Sequence, residues 1–330
     1  MSNKVLLGTM CAVLALPVRS FSAGREPDPG QLTQAAGSAF QSGNFALAGE
    51  LCTAAIRDLE AAGVTDHRLA SSLLNLGRVR EVQGRCGEAS DLFLRAIRIL
   101  EAAPQPDPFQ RSDAWGALAK AYNCQHQYSK AELALRRALE IEQSAPAPRS
   151  DQLVELLAGQ GGVYEAEGKF AEAEAAFLRA QSLLNQDPRV DSNRAALLLN
   201  NLGALRRLMG RYVESEAAFL QGLSLAEAAA TWDLGLEVGL LYNLAALDVE
   251  RKQFREAANH FAKAVRLLDN TTSLPPRTIG DLLRNYAACL RKVGDRRQAT
   301  TLDTRAAALL NSQPDGNGRL IVDVTELSSK

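Results

Sequence analysis

The sequence is short of what catalytic and strand-built proteins need. Aromatic residues make up only 5% of its 330 positions. With a composition rich in Ala, Leu, Glu and Arg, that scarcity disfavours a sandwich or barrel of strands and favours helix. Three histidines, His67, His126 and His260, stand far apart and in no metal-ligand spacing. The chain has no Gly-rich phosphate loop, no Gly-x-Ser-x-Gly elbow and no Cys-x-x-Cys pair. No catalytic residue, metal site or cofactor is therefore expected. Formal net charge is −1 and no long run carries one sign, so neither nucleic acid nor an anionic membrane surface is indicated as a partner. The one sustained apolar stretch, Val5 to Leu16, falls well short of the roughly 20 residues that a spanning helix requires.

That stretch follows Lys4 and precedes Pro17 and the small residues Ser20, Ser22 and Ala23, the pattern of a cleavable export signal over residues 1–23. Cys11 lies inside it, too early for a lipobox. A periplasmic or secreted location is the expectation. Residues 24–28 read as a linker.

What the remaining sequence has is a period. Gly43, Gly84, His126, Gly168, Gly210, Lys252 and Gly294 recur at intervals of 41 or 42 residues. Two residues after each turn position stand Phe45, Cys86, Tyr128, Phe170, Tyr212, Phe254 and Arg296, mostly aromatic. Seven residues before it a small residue recurs, at Ala36, Gly77, Ala119, Gly161, Gly203, Ala245 and Ala287. A second small column begins at Ala48 and Ala89, and a large apolar knob recurs at Phe93, Leu135, Phe177, Phe219 and Phe261. These offsets predict seven helix-turn-helix units, with approximate cores at 29–62, 70–103, 112–145, 154–187, 196–229, 238–271 and 280–312. Ser112, Ser150, Asp191 and Thr278 are candidate N-caps. The first and last units depart from the pattern, with Cys52 and Asp303 at the knob position, as capping repeats do. Residues 313–330 read as a disordered tail, with Leu320 to Val324 as an apolar segment that could instead dock on a groove or pair with a partner strand.

The combination of large apolar, Gly or Ala, turn Gly, aromatic, Ala and Phe at these offsets resembles the tetratricopeptide repeat family. Leu199-Asn200-Asn201-Leu202-Gly203 with Gly210-Arg211-Tyr212 and Phe219, together with the 42-residue period, is similar to its kinesin-light-chain-like subclass. The resemblance implies an all-α fold, a right-handed α-solenoid of seven repeats whose first helices line a concave channel. It also implies that Asn75, Asn201, Asn243 and Asn285, each nine residues before its turn position, face a bound extended peptide. Asn at this slot could equally bond a neighbouring helix. Arg78, Lys120, Arg207 and Arg284, with Glu81, Asp113, Glu155 and Glu165, are neighbouring groove candidates of mixed charge. Tyr242 and Trp232 are candidate apolar anchors, with interhelix packing the alternative for Trp232. The carboxylate-clamp pattern of chaperone-tail-binding repeats is not reproduced.

Four cysteines follow the signal. Cys86 and Cys124 fall on the same edge of adjacent units, so a disulfide between them is a hypothesis beside that of two buried small hydrophobes, which is the reading of Cys52 and Cys289. The function expected is an exported scaffold that holds an extended segment of another protein. The alternatives are a structural subunit assembled through convex or edge surfaces and a regulatory domain with a closed, apolar small-molecule pocket.

Overall fold

The computed structural model describes residues 28–186, 192–229, 233–268, 274 and 276–311. These form fourteen helices in seven antiparallel pairs: α1 (Pro29–Gln41) with α2 (Phe45–Ala61), α3 (His67–Val82) with α4 (Cys86–Ala102), α5 (Pro108–Cys124) with α6 (Tyr128–Gln143), and α7 (Ser150–Ala166) with α8 (Phe170–Gln186). The series continues with α9 (Ser192–Leu208) and α10 (Tyr212–Glu227), α11 (Leu234–Glu250) and α12 (Phe254–Leu268), and α13 (Pro276–Val293) and α14 (Arg296–Asn311). Each helix packs on the next in the chain, and every odd helix from α1 to α9 also touches the following odd helix. The odd helices thus make one face of the stack, and the even helices make the other.

Each hinge follows from its turn residue. All seven turn positions have positive φ, from 56° at His126 to 97° at Gly294. This left-handed conformation ends the first helix in a Schellman arrangement. The amide after the turn residue donates to the carbonyl five residues back, as in Arg85 to the Arg80 carbonyl and Arg211 to the Arg206 carbonyl, both 2.8 Å. Glycine takes this conformation freely; His126 and Lys252 take it against a steric cost. The second helix then starts two residues after the turn residue in every repeat, on an aromatic in five of the seven.

The small column before the turn has a partner. In repeats two, four and five, a Cβ added at Gly77, Gly161 or Gly203 would stand no more than 2.6 Å from the ring edge of Phe93, Phe177 or Phe219, sixteen residues on. All three rings are fully buried. Repeat three uses Ala119 with the smaller Leu135, while repeat six keeps a phenylalanine knob, Phe261, against Ala245. In repeat seven the knob is Asp303, partly exposed and paired with Arg291, which gives that end a polar face.

Three N-cap expectations, Ser112, Thr278 and Ser150, are corrected. Ser112 lies inside α5, which begins at Pro108 and is capped by Asp107 through the Phe109 amide at 2.9 Å; proline favours N1, where its missing N–H costs nothing. Thr278 likewise lies inside α13, behind Pro276. Ser150 is the first residue of α7, after Arg149, and Asp191 lies outside the described residues.

The junctions between repeats carry polar and covalent ties as well as apolar packing. Cys86, buried at the start of α4, and Cys124, exposed at the end of α5, are joined as a disulfide with Cα atoms 6.2 Å apart, coupling repeats two and three. Further along, Glu174 of α8 accepts from Arg206 of α9 at 3.2 Å and from Arg211 beyond it at 2.5 Å. Glu216 of α10 accepts from Arg251 at 2.5 Å. Glu132, Glu174 and Glu216 occupy one register position, and each meets a cation of the following repeat. Cys52 and Cys289 are free and buried.

Candidate binding groove

On the odd-helix face a cavity of about 710 Å³ runs across α3, α5, α7 and the start of α9. It is lined by the small residues Gly116, Ala117 and Gly159, by apolar side chains such as Val82, Leu135 and Leu156, and by several charged side chains. Arg78, Glu81, Lys120 and Glu155 come together there, as do Arg149 and Arg194, which the repeat pattern did not single out. Lys120 donates to Glu155 at 2.6 Å, and Arg194 approaches Asp151 and Glu155 at 3.6 and 3.5 Å. Burial raises the Glu155 carboxyl, but Lys120, Arg194 and Arg78 outweigh it and hold the group below the usual carboxylate range. Glu81, with only the more distant pull of Lys120 and Arg78, is pushed above that range by burial. Arg78 is exposed and makes no hydrogen bond or ion pair among the described residues.

At the edge of the cavity the half-buried Arg149 joins Asp113 to the buried Glu142. It donates to Glu142 from its backbone amide at 2.9 Å, from Nε at 3.0 Å and from Nη2 at 2.7 Å, and to Asp113 at 2.7 Å. Its guanidinium lies 4.8 Å from the centre of the Phe109 ring. The Glu142 side chain has no exposed surface. Burial raises its carboxyl, yet the hydrogen bonds from Arg149 and Ser112 more than offset this and leave it depressed. Arg149 follows Pro148 in an inter-repeat loop, where the spacing suggested only a helix start, so its role was not visible in the period.

The expected asparagine ladder divides. Asn75 and Asn201 are half-buried, and neither side chain is hydrogen-bonded among the described residues. Asn243 donates to Asn200 at 2.8 Å. Asn285 is buried and donates to the Tyr242 hydroxyl at 2.7 Å. Tyr242 is itself buried, edge-on to Phe261 at 5.7 Å between ring centres, so it is a core residue and no groove anchor. Arg207, also placed in the groove by its register, is buried and paired with Glu250 of the next repeat. Glu165, raised by burial against the pull of Arg207, lies beside that pair. Arg284 is exposed on α13, away from the cavity described above. Asn243, Asn285 and Arg207 share one physical reason: at repeats five to seven these polar side chains reach across to the adjacent layer instead of inward. Trp232 lies outside the described residues.

Among the described residues no group of three or more His, Cys, Asp or Glu is placed to hold a metal ion, and no helix is long and apolar enough to cross a membrane.

Residues 31–102 match a family model described as tetratricopeptide repeat. No curated protein matches the sequence significantly. Among solved structures the fold is similar to BtubC (BKLC) from P. vanneervenii, at 17% identity over 72% of this chain and 98% of that one, with a TM-score of 0.63. A Rap protein complexed with competence and sporulation factor is similar at 16% identity over 91% and 76%, TM-score 0.56. The TPR-like repeats of a kinesin light chain from Podospora anserina are similar at 17% over 62% and 98%, TM-score 0.51. At these identities the likeness is one of fold.

Proposed function

We propose, from the premise that this chain is a tetratricopeptide-repeat protein, that it is an exported adaptor whose odd-helix face, across α3, α5, α7 and α9, holds an extended segment of another protein. Repeats of this family are interaction scaffolds, and a Rap protein of the same fold is known in complex with a factor. The observation that carries the reading is the charged cavity itself. It runs across consecutive repeats, is lined in part by small residues, and presents the unengaged Arg78 beside Lys120, Glu155 and Arg194. A peptide backbone is complementary to such a surface because it brings both donors and acceptors, and the mixed walls can accept side chains of either sign. The elevated Glu81 carboxyl adds a group that can donate when protonated. No catalytic step is assigned to it. Export is supported by the signal pattern of residues 1–23 and by the Cys86–Cys124 disulfide, a bond that oxidising compartments maintain.

Site-specific photo-cross-linking tests the proposal. A photoreactive residue at Gln152, on the cavity wall, should give an adduct with a partner protein in the exported fraction of the native cell, and Arg78→Glu with Lys120→Glu should abolish it. An adduct that survives the double substitution, or that forms only from positions on the even helices, would move binding to the outer face. That second reading has its own support in an exposed apolar strip on α8 and α10.

A further inference from the structure

The even helices turn one side to solvent, and in most repeats that side is polar. In α8 and α10 it is not. Ala171, Ala175 and Leu178 on α8, and Val213, Ala217 and Leu220 on α10, follow the i, i+4, i+7 spacing of a single helix face and are all exposed. Val213 is 76% exposed, Leu220 47% and Leu178 42%. The same register positions hold Arg255, Asn259 and Ala262 in repeat six and Arg297, Thr301 and Thr304 in repeat seven, so the repeat fold does not require apolar residues there. The strip is held as one surface, since Glu174 of α8 is bonded to Arg211 at the start of α10. It lies on the side of the stack opposite the charged cavity.

The residues around the strip point to its occupant. On α8 the exposed Glu172 stands beside the first apolar position, and the exposed Arg179 stands beside the last. Turning α8 end for end about Ala175 brings Glu172 to within one residue, roughly 1.5 Å along the axis, of Arg179, and the small Ala171 equally close to the larger Leu178. The same operation on α10, about Ala217, sets Glu214 against the neutral Gln221 and Val213 against Leu220. On α8 acid meets base and small meets large under the rotation, and on α10 an acid meets a neutral amide and apolar meets apolar, so the face can pack on its own copy as an isologous interface requires.

We infer that the α8–α10 face is a homodimer interface, in which a second copy of this chain packs face to face with α8 antiparallel to α8 and α10 antiparallel to α10. The two-fold axis crosses both helices near Ala175 and Ala217, where small side chains allow close approach. Each copy then presents its own cavity on the far side of the assembly, so the dimer offers two equivalent binding faces.

Sedimentation equilibrium on the full disulfide-intact chain tests this, with circular dichroism to confirm that each variant keeps its helix content. The wild type should be dimeric at micromolar concentration, and Leu178→Glu with Leu220→Glu should be monomeric there. Glu172→Arg alone and Arg179→Glu alone should each weaken the dimer by roughly tenfold, since two exposed ion pairs become two like-charge contacts. An equimolar mixture of these two variants restores both pairs and should dimerise as the wild type does. A wild type that is monomeric at 100 µM overturns the inference. So does a mixture that stays dissociated, or a double Glu variant that remains dimeric.

Discussion

Asn285 donates from its side-chain amide to the Tyr242 hydroxyl across 2.7 Å, and one repeat earlier Asn243 bonds Asn200 in the same register. Both pairs are 43 residues apart. In each, a polar residue of one repeat reaches back to the position just before the equivalent residue in the preceding repeat. The asparagines of repeats six and seven are therefore ties between layers.

Asn285→Ala should lower stability by about 1–3 kcal/mol, because it leaves a buried tyrosine hydroxyl without this donor. Asn201→Ala, with no such bond to lose, should cost well under 1 kcal/mol. Thermal and urea unfolding of the two variants checks the contrast. Equal losses would mean that Asn201 has a structural role of its own.

Gly203→Ala should destabilise by about 1–3 kcal/mol, since the added methyl carbon would stand 2.6 Å from the Phe219 ring. Adding Phe219→Leu should recover part of the loss, because it rebuilds the Ala119 and Leu135 pairing of repeat three. A double-mutant cycle measures the coupling. Additive losses would show that the ring has room to move.

Lys252→Gly should raise stability by up to about 1 kcal/mol, by relieving a left-handed φ of 61° in a side-chain-bearing residue. Gly210→Ala, at 74°, should cost about 1 kcal/mol. The melting temperatures should move in opposite directions.

The loop closed by Cys86 and Cys124 spans 38 residues, for which loop-closure entropy corresponds to about 4 kcal/mol. Cys86→Ser with Cys124→Ser should lose a substantial part of that. Alkylation should leave the native chain without residues 1–23, and hence without Cys11, unlabelled at pH 8: Cys52 and Cys289 are buried, and desolvation pushes their thiols up to about 11 and about 12. Labelling at the rate of a free thiol would contradict the packing.

The Glu142 carboxyl is depressed in the folded chain, so its contribution is fully present above the usual glutamate range and is lost as pH falls through the folded value. Glu142→Gln should therefore destabilise the protein at pH 7, with a gap from wild type that narrows in acid. Unfolding curves at pH 7 and pH 3 give the comparison, and a gap of constant size would remove the ion pair as its cause.

The fold was legible because a hinge demands a residue that tolerates positive φ, and a knob demands a hole. Both requirements return with each repeat, so Gly84 and Gly210, or Gly77 and Gly203, announce the same geometry from different parts of the chain. The site was less legible because side-chain direction does not follow register alone. Arg78 and Arg207 both precede a turn on a first helix, yet one remains free beside the cavity while the other is drawn to Glu250. Arg149 was hidden differently, in a loop whose proline drew attention to where a helix begins and away from what the arginine holds. The period also gave no sign of Asn200, because its importance depends on a residue 43 places later.

The covalent tie between repeats two and three has a mechanical consequence. In a stack where each layer grips mainly its neighbours, tension applied at the two ends can peel repeats away singly, beginning at the terminal layers. The segment between Cys86 and Cys124 cannot contribute length to that extension, however far the rest has unravelled. Under load the molecule would lengthen in steps of one repeat, and its full extension would stop short by the contour of the bridged loop until the disulfide is reduced.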